Sequence, residues 1–272
     1  MTDKYAVIGN PIEHSKSPLI HQAFAKQTKQ DISYEKILAP LDGFAEKIFE
    51  LIALGYKGVN ITVPFKLQAF QLATKLSARA QHAGAVNTLS FNGVDIVGDN
   101  TDGAGLVRDI EHNLHIQVAG KRILLIGAGG AAEGVLHPLL ACKPALLVIT
   151  NRTLAKAEAM LSKVKAQTDT SVCVCGLDDL HAQQFDIVIN ATSTGLSDSA
   201  LPLPPTIFSQ DCLAYDMMYG RETPFMCLAR SHGAQVVDGL GMLVEQAAEA
   251  FYGWRGIRPM TPVVMLMIKE ST

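Results

Sequence analysis

The chain has 272 residues, 48% of them hydrophobic and 18% charged, with a formal net charge of -3. That is enough apolar material for one large α/β domain or two smaller ones. The slight acidity gives no reason to expect nucleic acid or an acidic membrane as partner, and no apolar run reaches the length of a membrane span.

Met1-Thr2-Asp3-Lys4 lacks the marks of a signal peptide and leads straight into a strand expected at residues 5–9. A helix follows from Ser17-Pro18, where proline suits the first helical turn. Residues 32–38 read as a strand and 41–54 have helical spacing. The next strand, 57–63, alternates Val59, Ile61 and Val63 with Asn60 and Thr62; Pro64 stops its ladder because it has no N–H to donate. Residues 67–79 follow as a helix, and "AGAVNTL" opens a further strand. "GDNTDGAG", 98–105, is rich in turn formers, and the helix after it runs to about His112. "AGKRILLIGAGG" supplies a turn, a strongly apolar strand and glycines. From there strand, helix, strand, helix, strand, strand carry the chain to about Val237, with 197–205, "SDSALPLPP", as loop. Residues 239–272 are mostly helical. This alternation argues for an α/β fold with parallel sheets and crossover helices, in two domains. The expected boundaries give residues 1–101, completed by 239–272, and residues 102–238.

The glycines after the apolar strand form a dinucleotide fingerprint. Gly127, Ala128, Gly129, Gly130 and Ala131 lie between strand and helix, with Ala132 in the third small position. Gly127 permits the tight turn, Gly129 lets the backbone approach a pyrophosphate, and the helix N-terminus offers amide donors. Pro138 inside the following helix predicts a bend or break. The next strand, "ALLVIT", ends in Asn151-Arg152-Thr153, where an NAD enzyme carries a carboxylate for the ribose hydroxyls. Here Arg152 stands instead, with Lys156 one turn later, and two cations suit a 2′-phosphate. The expected cofactor is therefore NADP.

Outside this unit four stretches carry unusual polar content: "HSKSPLIH" with Ser15 and Ser17, "NITVPFK" with Thr62 and Lys66, "GAVNTL" with Asn87, and "GDNTDGAG" with Asp102. Either serine could simply cap the helix, or the two could present hydroxyls to a polyol. Together the set suits a small hydroxylated acid: hydroxyls and an amide for ring oxygens, and a cation for chemistry or carboxylate binding. The five cysteines read as reduced core residues of a cytosolic protein. Cys173 and Cys175 have no second pair at ligand spacing, so no metal is expected.

The chain resembles the shikimate dehydrogenase family essentially end to end, through "IGNPIEHSKSPLIHQ", "GVNITVPFK", "AGAVNTL", "GDNTDGAG", "GAGGAA", "NRTLAKA", "NATSTG", "YDMMY" and "DGLGMLVEQAAEAF". The resemblance implies NADPH-dependent, reversible reduction of 3-dehydroshikimate to shikimate, on the cytoplasmic route to aromatic amino acids. It implies a substrate domain, closed by the C-terminal helices, and a Rossmann-type NADP domain. By motif, Ser15 and Ser17 would bind the carboxylate; Thr62, Asn87, Asp102, Tyr219 and Gln246 the ring substituents; and Lys66 and Asp102 would form the catalytic pair. Gly127, Ala128, Gly129, Gly130 and Ala131 would bind the pyrophosphate, Asn151, Arg152, Thr153 and Lys156 the 2′-phosphate end, and Met217 and Gly239 would flank the nicotinamide. Three positions depart from the family pattern. Lys156 stands where many members have arginine, Arg221 where proline is frequent, and Ala78 where an acidic residue is common. The alternatives are a broader quinate/shikimate dehydrogenase using NAD, and a non-catalytic NADP-binding regulator. A homodimer is left open.

Overall fold

The computed structural model describes residues 2–164, 168–192, 194 and 201–270. Met1–Gly105 with Leu243–Thr272 form one unit and Leu106–Met242 the other.

The first unit is built from β1 (Asp3–Gly9), α1 (Ser17–Thr28), β2 (Ile32–Leu38), α2 (Phe44–Ala53), β3 (Tyr56–Ile61), α3 (Lys66–Leu72), β4 (Lys75–Leu76), α4 (Ala78–Ala83), β5 (Thr88–Asn92) and β6 (Asp95–Asp99). Its sheet has the order β2-β1-β3-β5-β6-β4. β1 runs parallel to β2 and β3 on either side, and Tyr5, Ala6, Val7 and Ile8 are all buried, as a strand covered on both faces requires. On one face Ala6, Ile8, Val59, Ile61 and Leu89 meet Phe44, Ile48 and Leu51 of α2. Tyr5, Val7 and Tyr34 share the other with Trp254.

Two expectations need correction here. The helix expected over 67–79 is α3, the short strand β4, then α4. The chain leaves the helix because the Thr74 N–H bonds the Ile96 carbonyl at the sheet edge, and the Ser77 hydroxyl then caps α4 by accepting from the Ala80 N–H. Nor is the sheet wholly parallel: β5 is antiparallel to both β3 and β6. The β5–β6 hairpin turns at Gly93, whose φ of 65° suits glycine.

In the second unit β7 (Arg122–Ile126), α6 (Gly130–Ala141), β8 (Leu146–Thr150), α7 (Leu154–Val164), β9 (Ser171–Val174) and β10 (Phe185–Asn190) follow the expected order of strands and helices. The expected six elements to about Val237 are three too few: beyond β10 the described residues form β11 (Phe208–Asp216), α8 (Pro224–Ser231) and β12 (Gln235–Val237). Thr223, capping α8 ahead of a proline, is a start signal of ordinary kind. All neighbouring strands are parallel in the order β12-β11-β10-β7-β8-β9. Read from β9, this is the doubly wound dinucleotide-binding order, with the crevice where β7 and β10 send their connections to opposite sides. Helix α6 runs unbroken through Pro138. Of the expected loop 197–205, residues 197–200 lie outside the described residues, and a 3-10 turn begins at Pro205.

α5 (Asp102–Arg108), continued by a π-helical turn Asp109–Asn113, and α9 (Leu240–Arg255) contain the unit boundaries; α10 (Thr261–Glu270) ends the fold. The cysteines are all free, yet Cys173 and Cys227 are exposed and Cys142 is half-buried, so only Cys175 and Cys212 are core residues. Cys173 lies in β9 and Cys175 just beyond its end.

Candidate active site

β3 stops at Ile61, two residues short of the expected end, and a turn after it leads from Thr62 to Lys66. Phe65 anchors that turn: it is fully buried and stacked on Phe44, ring centroids 4.9 Å apart. The next residue, Lys66, opens α3, and its Nζ donates to Asp102 Oδ2 at 2.5 Å. Asp102 opens α5, with its N–H held by the Asn100 side chain at 3.1 Å. The Lys66 side chain is 32% exposed against 13% for Asp102, so the ammonium is the solvent-facing end of the pair.

Asn87 sits behind this pair, 2% exposed. Its carbonyl accepts from Ile61 N–H and its N–H donates to the Asp99 carbonyl, so the backbone is clamped between β3 and β6. Its Nδ2 donates to Asp102 Oδ1 at 2.8 Å and approaches Gln246 Oε1, on α9, at 3.4 Å. Lys66, Asp102, Asn87 and Gln246 are thus brought together within one unit. Thr62 is half-buried on the same turn, and Gly9 is glycine because a Cβ there would fall 2.4 Å from the Thr62 methyl. Ser15 and Ser17 form their own pair, hydroxyl to hydroxyl at 3.2 Å, and the Ser15 oxygen also accepts the Ser17 N–H. Neither serine is the cap of α1, since Lys16 holds that position without a side-chain cap bond; the paired hydroxyls are what the structure shows. Among the described residues no hydrogen bond joins these serines to the Lys66 group. Tyr219 belongs to the second unit, after β11, and is 36% exposed.

In the second unit Gly127 has a φ of 115° and a Cβ would meet the Ala191 carbonyl, so the turn itself demands glycine. Gly129 and Gly130 are different: nothing lies within 4 Å of where a Cβ would point. Gly129 also has an ordinary φ of -105°, so neither strain nor protein contact explains it. The small residues Ala128, Gly129, Gly130 and Ala131 leave open space beside the N-terminus of α6, where amide donors lack helical partners. Arg152 and Lys156 are exposed at the start of α7, and among the described residues neither has a carboxylate partner. Asn151 shapes the turn by donating to the Thr153 carbonyl at 2.9 Å. Met217 and Gly239 touch: a Cβ at Gly239 would lie 2.3 Å from the Met217 carbonyl oxygen. The residues present fit a phosphorylated dinucleotide.

Several supporting residues were not singled out from sequence. Buried Asp216 receives Asn190 at 3.1 Å, Thr223 at 2.6 Å and the Met218 N–H at 2.9 Å, holding the loop that carries Met217. Arg79 forks onto Asp99 and reaches Glu249 at 2.8 Å, and Asp99 also receives Asn100 N–H. Burial raises the Asp99 and Glu249 carboxyls, but arginine contacts outweigh it and hold both below their usual values. Asn100 and Thr101 lie inside the quoted "GDNTDGAG", so the signal was present as polar residues with no exposed surface to explain them. Ala78 and Arg221, which depart from the family pattern, are both exposed.

Three family models match the chain: a shikimate dehydrogenase substrate binding domain over residues 7–89, a shikimate/quinate 5-dehydrogenase domain over 109–197, and a shikimate 5'-dehydrogenase C-terminal domain over 239–265. The NADP(+)-dependent shikimate dehydrogenase of Methylobacillus flagellatus is 61% identical over 270 residues, covering 99% of this chain and 100% of its own. The crystal structure of an Ael1 enzyme from Pseudomonas putida superposes with a TM-score of 0.94 at 48% identity, covering 98% of each chain. Shikimate 5-dehydrogenase from Thermus thermophilus, in complex with NADP(H) and shikimate, has a TM-score of 0.89 at 29% identity and covers 100% of both chains.

Proposed function

This chain belongs to the shikimate dehydrogenase family and is an NADP-dependent oxidoreductase, and from that premise we propose that Lys66 and Asp102 handle the proton as 3-dehydroshikimate and shikimate interconvert. The observation that carries this is the 2.5 Å contact between Lys66 Nζ and Asp102 Oδ2, open to solvent on the lysine side.

NADPH, when bound, supplies the hydride for the ketone carbon. The chain supplies the proton for the oxygen and a charge to hold it. Lys66 has three N–H groups, and Asp102 is its one acceptor among the described residues. A free N–H directed at the carbonyl oxygen polarises it and neutralises the alkoxide as it forms, an effect strongest in the transition state. Asp102 orients the ammonium and shares its proton, so the proton belongs to the pair. In the reverse direction the same pair takes the hydroxyl proton of shikimate.

The remaining residues bind. The paired hydroxyls of Ser15 and Ser17 suit a carboxylate, and Thr62, Asn87, Asp102, Gln246 and Tyr219 suit the ring substituents. The amides of Gly127–Ala131 take the pyrophosphate. Arg152 and Lys156, with Asn151 and Thr153, take the 2′-phosphate, and Met217 and Gly239 flank the nicotinamide. We read the enzyme as cytoplasmic, in keeping with five cysteines and no disulfide. Among the described residues, no helix is long and apolar enough to cross a membrane.

Lys66→Ala should lower kcat by about 10²–10⁴-fold while the KM for shikimate moves far less. Steady-state kinetics on the folded variant decides this; near-normal kcat would remove Lys66 from the chemistry.

A further inference from the structure

Behind Asp102 runs a line of side-chain hydrogen bonds that the reaction itself does not use. The Tyr34 hydroxyl donates to Asn60 Oδ1 at 2.7 Å. Asn60 Nδ2 donates to Thr88 Oγ1 at 3.0 Å, and Thr88 Oγ1 donates to Asn87 Oδ1 at 2.9 Å. Asn87 Nδ2 then donates to Asp102 Oδ1 at 2.8 Å. Tyr34, Asn60, Asn87, Thr88 and Asp102 are all buried.

The direction of each bond follows from its neighbours. A phenol beside an amide oxygen has one proton, and it goes to Asn60 Oδ1, which turns Asn60 Nδ2 toward Thr88. The Thr88 oxygen accepts that N–H, so its single proton is free for Asn87 Oδ1. The backbone N–H of Thr101 also donates to Asn87 Oδ1, at 2.9 Å, which rules out the flipped amide. The Asn87 NH₂ is thereby aimed at Asp102 Oδ1, leaving Oδ2 for Lys66. A head-to-tail chain of this kind, away from water, strengthens each of its bonds.

We propose that Thr88, with Asn60 and Tyr34 behind it, is a positioning residue that fixes the Asn87 amide and through it the Asp102 carboxylate. This rests on the reading of Lys66 and Asp102 as the proton pair. Asn60 lies on β3, Thr88 on β5 and Tyr34 on β2, so the relay crosses the sheet and ties the site to its interior. Position matters at this level because a small misplacement of a reacting group lowers the rate steeply.

The test is Thr88→Val, which removes the hydroxyl and keeps the β-branched shape, beside Thr88→Ser, which restores it. Thr88→Val should lose about tenfold in kcat per folded enzyme, with KM for shikimate within about twofold, and Thr88→Ser should recover kcat. Tyr34→Phe keeps the ring but breaks the first link; in the Thr88→Val background it should cause no further loss, because the line is already cut. Unchanged kcat in Thr88→Val with only a lower melting midpoint makes Thr88 a purely structural residue and overturns the proposal, as does full additivity with Tyr34→Phe. Asp102→Asn, assayed in parallel, separates the two readings. An inactive Asp102→Asn with a normal Thr88→Val sinks the relay alone, whereas an active Asp102→Asn sinks the proton pair and the relay with it.

Discussion

His21 lies on α1 with no exposed surface, its ring stacked on Tyr34 at 4.1 Å between centroids, and neither ring nitrogen has a hydrogen-bond partner. Burial pushes its pKa from the ordinary 6.5 down to about 3. The unfolded chain therefore takes up a proton near pH 6.5 that the folded chain refuses until about pH 3, and stability falls as pH drops through that window. The loss between pH 7 and pH 5 should be about 2 kcal/mol. Asp99, held low by Arg79, and Glu249, held low by Arg258 and Arg79, both against the effect of burial, add their own loss only further down, as pH falls through the carboxylate range. Urea midpoints at pH 7 and pH 5 should separate in the native chain and draw together in His21→Phe; an unchanged separation would show that His21 is not the group responsible. Residues of this kind bound what a sequence discloses. Lys66 stood out as a cation just after an apolar strand, and Asp102 as a carboxylate in the turn-rich stretch "GDNTDGAG". Asn60 was visible as a polar residue in β3, but its partners Tyr34 and Thr88 come from two other strands, and no local spacing encodes a bond across three elements.

At the scale of elements, the first residues of α9, which belong to the second unit, pack against a buried carboxylate of that same unit. Asp109 is 2% exposed, receives the Tyr215 hydroxyl at 2.7 Å and Asn113 at 2.8 Å, and lies 2.0 Å from where a Cβ on Gly241 would stand. Alanine is ordinarily the better helix residue by about 1 kcal/mol. Here it must displace a buried, hydrogen-bonded carboxyl group, which costs more, so Gly241→Ala should destabilise by about 2–3 kcal/mol. Urea denaturation reads this directly; a neutral or stabilised variant would mean the carboxylate can move aside freely. The elements that periodicity marks, such as β1, β7, β8 and α2, were legible from sequence. Those marked by only two residues were not: the β5–β6 hairpin at Asn92-Gly93 and the α8 start at Thr223-Pro224. Of the bend or break expected at Pro138, the break is absent: α6 continues around one missing donor while buried Val135, Leu136, Leu139 and Leu140 hold it to the sheet.

For the whole molecule, the expected divisions after residues 101 and 238 compare with structural divisions after Gly105 and Met242, inside α5 and α9 in each case. Turn formers such as "GDNTDGAG" draw the eye to a boundary, but Asp102 begins a helix there, and a helix carries the chain across. The parallel six-strand order of the second unit places Gly127–Ala131 at its crevice, and Arg152 and Lys156 stand where a carboxylate would mark NAD. The first unit gathers Lys66, Asp102, Asn87 and Gln246. The central claim is that these halves make one enzyme, which oxidises shikimate with NADP. The most direct measurement is the initial rate of nicotinamide reduction with shikimate, run side by side with NADP and NAD and repeated with quinate. The rate with shikimate and NADP should be far above every other combination. Comparable rates with NAD or quinate would contradict the specificity assigned to Arg152 and the polar set, and no turnover with NADP still bound would contradict catalysis itself.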